Sequence, residues 1–186
     1  MSNNDDAKAK DREARFTQIK DEYNKFYNEL LRQGKINCRD TGIGLWGCSS
    51  PDAIFAFFKE IHLERFNNFL DLGSGDGIVV LIASLFTNAK GIEFDKDLHD
   101  KAIETKDNLN MKADFEKMDF NNASLSGYDI IFINPDTSFT RNSVEKRLLH
   151  EMKGILAVYN NIFTPNYLKK GDTFLHDQIP LTIWKK

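Results

Sequence analysis

The sequence predicts an α/β domain built on a doubly wound, mainly parallel sheet of about seven strands, preceded by a helical extension. Three observations predict it. Short runs rich in Phe, Ile and Leu alternate with stretches of helical spacing from residue 67 onward. The glycine-rich word DLGSGDG, residues 71–77, follows directly on the first of these runs, and acids or an Asn recur where the later ones end.

Residues 1–35 carry seven acids and eight Lys or Arg. Phe16, Ile19, Tyr23, Phe26, Tyr27, Leu30 and Leu31 recur at the spacing of one helix face, and Gly34 ends the pattern. This segment is expected to be an amphipathic extension packed on a domain spanning 36–186. From Cys38 to Pro51 the chain is glycine-rich, has no period and reads as a loop around Trp46. Ser49 or Ser50 then caps a helix that opens with Pro51 and continues AIFAFFKEI.

NNFLDL, AKGIEF, ADFEKMDF, YDIIFINP and GILAVYNNIF read as strands. IVVLIASLF is too short to fix its own period, but its place after the glycines predicts a helix, and DKDLHDKAIETKDNL has helical spacing behind a capping Asp. TFLHDQI and LTIWKK are expected to close the sheet as an antiparallel hairpin with Pro180 near its turn.

A net charge of −3 and a pI near 5.8 supply no field to gather nucleic acid or anionic lipid over the whole surface. No apolar stretch reaches membrane-span length, and the first 30 residues are charged throughout, so the expected compartment is the cytoplasm, with no membrane partner. Cys38 and Cys48 form no disulfide framework, and His62, His99, His150 and His176 are scattered. Reduced thiols and no metal are expected. Oligomeric state is not readable.

A dinucleotide fingerprint needs a third glycine at the sixth place of the motif, where this chain has Ile78. A phosphate-binding Walker loop needs Lys followed by Ser or Thr, and none follows Gly77. Gly73 and Gly75 allow a tight turn and let a ligand lie against the main chain. Glu93 falls twenty residues after Gly73 at the tip of the second strand, placed to accept both hydroxyls of a ribose, and Asp119 with Met118 ends the third strand, suited to an adenine. Asp71 and Asp76 put negative charge beside the loop, which fits a cationic guest and not a pyrophosphate. Plainer readings stand beside these. The two acids cap the next helix, Glu93 is an exposed strand end, Asp119 a turn acid, and Trp46 a packing residue rather than a lid.

DLGSGDG, the acid of GIEF, the MDF and the DIIFINP together resemble class I, seven-strand S-adenosylmethionine-dependent methyltransferases over residues 49–186, and DLGSGDG behind a Ser-Pro helix start is also similar to the small archaeal lysine methyltransferases. The resemblance implies a Rossmann-like methyltransferase fold with S-adenosyl-L-methionine as cofactor. It places Asp71 near the methionine end and Gly73, Ser74 and Gly75 beneath the cofactor. Glu93 goes to the ribose, Met118 and Asp119 to the adenine, and Asn134 to both cofactor and acceptor.

The acceptor is read from Asn134-Pro135-Asp136-Thr137. Many methyltransferases acting on nitrogen carry here an Asn or Asp, two prolines and an aromatic residue, and this chain matches the first two positions only. The Asn134 side-chain oxygen and the Pro135 carbonyl can accept from an amine and aim its lone pair, which makes these two the candidate catalytic residues of a direct, metal-free displacement. A lysine acceptor must arrive neutral, so an apolar wall from Trp46 or Phe139 is expected to desolvate it, with Asp136 a recruiting charge or cap and not a base. A protein acceptor, at lysine, is the first expectation. A nucleic-acid nitrogen and a small-molecule amine follow. The residues leave two rivals, a cofactor-binding subunit without catalysis and a nicotinamide-dependent oxidoreductase.

Overall fold

The computed structural model describes residues 3–42, 44–136, 141–160 and 162–186. Helix α1 (Asn3–Arg32) is followed by a two-stranded antiparallel hairpin, β1 (Cys38–Asp40) and β2 (Leu45–Gly47), where the sequence suggested only a loop. Strands of three residues are too short to show a period. Helix α2 (Pro51–Glu60) starts as expected. Ser50 is its cap, with Oγ accepting from the Ala53 amide at 3.2 Å.

The main sheet then forms from β3 (Asn68–Leu72), β4 (Asn88–Glu93), β5 (Asp114–Lys117), β6 (Ile130–Ile133), β7 (Ile155–Tyr159), β8 (Lys169–His176) and β9 (Ile179–Lys185). Its order is β5-β4-β3-β6-β7-β9-β8, parallel through β7 and antiparallel at β9 and β8. The chain winds outward from β3 in one direction and from β6 in the other. The crevice beyond these two strands is therefore the switch point where open α/β sheets bind ligands. The closing hairpin turns through Asp177 and Gln178, both left-handed, and Pro180 lies just beyond, in β9 opposite Leu175 of β8.

Alternate strand residues feed two cores. Phe69, Ile130, Phe132 and Ala157 point to one face, covered by α1, α2 and α3 (Ile78–Ala83), while Leu70, Leu72, Ile131 and Leu156 point to the other. The second face is covered by α5 (Arg141–Glu151), which the sequence reading had not marked. Val144 and Leu148 of α5, with Met152 just beyond it, are buried at intervals of four. α4 (Lys96–Asn108) is capped by Asp95, which accepts from the Leu98 amide at 2.9 Å.

α3 is apolar all round and every one of its residues is buried, so it cannot be a surface helix. α1 lies over it. Phe16, Ile19, Tyr23 and Tyr27 of α1 belong to the same core as α3, and the Phe16 ring stacks on Phe55 of α2 at 4.0 Å. Arg12 and Arg15 donate to carbonyls that follow α3 and α4, Leu85 at 3.2 Å and Leu109 at 3.0 Å. No described helix is long and apolar enough to cross a membrane.

Candidate active site at the carboxyl ends of the parallel strands

A cavity of about 570 Å³ opens at the switch point, within the range of small-ligand sites. Its floor is the loop after β3, and its walls come from the ends of β4, β6 and β7 and from the β1–β2 hairpin. Among the site residues expected from sequence, Asp71, Gly73, Ser74, Gly75, Glu93, Asp119, Asn134 and Pro135 all line it.

Met118 does not. β5 ends at Lys117, and the Met118 side chain packs against the second core, on the sheet face opposite the glycine loop's helix. Its amide donates to the Glu93 carbonyl at 3.0 Å, while Phe120 and Asn121 line the cavity in its place. Asp119 is both lining residue and cap, its Oδ1 accepting from the Asn121 amide and from Asn121 Nδ2, each at 2.9 Å.

The three glycines have separate reasons. Each is left-handed, with φ of +76° at Gly73, +55° at Gly75 and +87° at Gly77. A Cβ at Gly73 would meet open space, but one at Gly75 would stand 2.7 Å from Trp46 Cδ1, and one at Gly77 would stand 2.6 Å from the Ala102 Cβ. Only Gly73 therefore offers a free backbone seat. Gly75 instead makes room for the indole of Trp46, which is 8% exposed and is packed in place, and Gly77 makes room for α4.

Three carboxyl groups are buried around the loop. Glu93 clasps it, with Oε2 accepting from the Gly75 amide and Oε1 from the Asp95 amide, both at 2.7 Å. Burial raises its carboxyl above the usual range, and these amides oppose the rise. Asp71, 2% exposed, is pushed well above its ordinary value by burial first and by the charges of Glu93 and Asp76 next. Asp76 is pushed to about 6 by burial, against the pull of the Tyr27 hydroxyl and the Ile78 amide. A cluster of carboxyl groups that resist ionising is relieved by a cation, which favours their charged forms. Ser74 Oγ is buried against Gly91, with no hydrogen-bond partner among the described residues. The open left-handed Gly73 and the surrounding carboxyl groups fit a cationic nucleoside.

At the end of β6, Asn134 Nδ2 donates to Ser49 Oγ at 3.1 Å, and Asn134 Oδ1 accepts from Asn160 Nδ2 at 3.0 Å. The same Asn160 amide reaches the Pro135 carbonyl at 3.4 Å. The two expected amine acceptors thus converge on one NH2 group of the protein itself. Asp136 accepts from the Leu45 amide, and Arg39 pairs with Asp95 at 2.6 Å, so the hairpin is tied down on both sides of the cavity. Thr137 and Phe139 lie outside the described residues.

The sequence reading missed Asn160, Tyr23, Tyr27 and Arg39. The signal for Asn160 was a polar residue at the carboxyl end of the fifth expected strand. For the others no local signal exists.

Residues 41–178, about three-quarters of the chain, match the family model "Histone methylation protein DOT1". The chain belongs to the DOT1 family. This DOT1-family protein is a class I methyltransferase with S-adenosyl-L-methionine as cofactor. Its fold is similar to that of an RNA methyltransferase from Salinibacter ruber in complex with S-adenosyl-L-homocysteine, at 20% identity and a TM-score of 0.64 over 74% of this chain and 92% of that one. It is also similar to a putative methyltransferase from Escherichia coli, at 16% identity and 0.56 over 70% and 82%. A tRNA (uracil-54, C5)-methyltransferase from Pyrococcus abyssi gives 17% and 0.59 over 76% and 41%. No curated protein matches significantly. The DOT1 match begins after α1, so the helix that covers α3 stands outside the family region.

Proposed function

We propose that this methyltransferase acts on an amine nitrogen, and first on the side chain of a protein lysine. The observation that carries the reading is the convergence of Asn134 Oδ1 and the Pro135 carbonyl on a single NH2 group. Two oxygens that hold one NH2 group by its hydrogens leave its lone pair pointing away from both.

In this reading Gly73 and Ser74 lie beneath the cofactor, and Asp71 faces its cationic methionine end. Glu93 meets the ribose with the lone pairs its backbone bonds leave free, and Asp119 meets the adenine beside the Phe120 ring. The bound cofactor supplies an electrophilic methyl on a positive sulfur. The chain's task is placement, and bringing the nucleophile to that methyl supplies most of the acceleration. A lysine is held neutral by an apolar rim, since Leu45, Phe94 and Ile162 line the cavity mouth and are each about half exposed. Asp136, engaged with the hairpin, serves as a tether there and not as a base.

The family name and the net negative charge support a protein acceptor over RNA. A nucleic-acid nitrogen is the second reading, favoured by the RNA methyltransferase from Salinibacter ruber. The expected compartment, the cytoplasm, belongs to the same proposal. The test is transfer of labelled methyl from S-adenosylmethionine to fractionated protein, RNA, DNA and metabolites. Labelled protein that loses its label capacity after its lysines are chemically blocked supports the reading. Label confined to RNA, DNA or metabolites, or none with any fraction, overturns it.

A further inference from the structure

Two side chains of α1 end on the glycine loop, although α1 lies outside the family region. Tyr23, 1% exposed, donates its hydroxyl to the Asp76 main-chain carbonyl at 2.6 Å. Tyr27, one turn further and also buried, donates to Asp76 Oδ2 at 2.8 Å. Spacing of four puts both hydroxyls on the same helix face. Asp76 stands between the left-handed Gly75 and Gly77, so local preference holds its backbone weakly and a tertiary contact must hold it. Its other oxygen, Oδ1, accepts from the Ile78 amide at 3.3 Å and so passes the constraint to the first turn of α3.

The loop is therefore gripped from above and below. Glu93 holds the Gly75 amide from the sheet side, and the two tyrosines hold Asp76 from the helix side. Neither tyrosine lines the cavity.

We propose that Tyr23 and Tyr27 are positioning residues of the cofactor site, and that docking of α1 on the glycine loop and binding of the cofactor stabilise one another. This rests on the assignment of residues 73–77 as the cofactor's seat. A ligand that binds only the docked arrangement raises the cost of undocking by its own occupancy, and loosening α1 must weaken the ligand by the same coupling.

The experiment uses the full chain and S-adenosylhomocysteine. Calorimetry compares wild type, Tyr27→Phe, Tyr23→Phe and the control Phe16→Leu, which loosens α1 on α2 without touching Asp76. Amide hydrogen exchange follows residues 16–31 with and without the nucleoside. Tyr27→Phe is expected to weaken binding about tenfold, the worth of one hydrogen bond to a charged group, and Tyr23→Phe a few-fold. Exchange across 16–31 slows on ligand addition in the wild type and slows less in Tyr27→Phe. Tyr27 also pulls the Asp76 carboxyl down, so its loss moves the acid limb of the binding profile to higher pH, a change Phe16→Leu does not produce. Wild-type affinity and pH profile in Tyr27→Phe, with exchange of 16–31 indifferent to ligand, overturns the proposal. Absence of heat from the wild type instead sinks the seat assignment, and the link with it.

Discussion

Asp76→Asn tests whether the acid cluster strains the ligand-free protein. The Asp76 carboxyl moves from an ordinary value of 3.8 to about 6 on folding, chiefly by burial. A folded-state pKa above the unfolded one means that the folded form binds its proton more tightly. The associated stability is fully present below about pH 4 and is lost as pH rises through 6. The full difference, about two units, is about 3 kcal/mol at about 1.4 kcal/mol per unit, and the part recovered between pH 7 and pH 5 is about 1.3 kcal/mol. Asn at 76 keeps the acceptor for the Ile78 amide and a partner for the Tyr27 hydroxyl but cannot titrate. Urea unfolding of the ligand-free protein at pH 5, 6 and 7 and constant ionic strength measures both proteins. The wild type is expected to gain at least about 1.3 kcal/mol more than the variant on going from pH 7 to 5. Asp71 shifts in the same direction and owes part of its rise to the Asp76 charge, so the variant also loses that part and the difference between the two proteins widens rather than cancels. Parallel pH profiles for wild type and variant refute the reasoning.

Glu93→Gln leaves one of two backbone amides facing an NH2 group; it should lower the urea-unfolding free energy by about 1–3 kcal/mol and weaken S-adenosylhomocysteine at least tenfold by calorimetry. Gly77→Ala combines a left-handed backbone with a Cβ 2.6 Å from Ala102 and should cost about 2–4 kcal/mol, read as a lower melting temperature. Asn134→Ala should reduce kcat for labelled methyl transfer about a hundredfold while the dissociation constant of S-adenosylhomocysteine stays within about threefold. Asn160→Ala removes the internal NH2 group from Asn134 and Pro135 and should lower the acceptor KM with kcat within about twofold, measured on the labelled fraction.

The residues at strand ends were legible because parallel topology sends every carboxyl end to one edge. Glu93 and Asn134 needed only their place after an apolar run. Met118 could not be separated from Asp119 by its place alone, because strand parity sends its side chain to the second core, away from the cavity. The loop glycines were legible as a group but not one by one, because what separates Gly73 from Gly75 is a tryptophan that approaches from a distant hairpin. Helix α5 was hidden by its charged and polar majority, which masks an apolar spacing of four. Tyr23 and Tyr27 read correctly as core residues, yet their hydroxyls act 53 and 49 positions away, a distance no local pattern encodes.

Trp46 has an optical consequence. The chain holds two indoles, Trp46 against the Gly75 backbone and Trp184 buried within the second core. Any guest arriving over the neighbouring Gly73 alters the surroundings of the first fluorophore and leaves the second as a constant background. The protein thus carries a built-in emission reporter for occupancy, available without labels or a known acceptor.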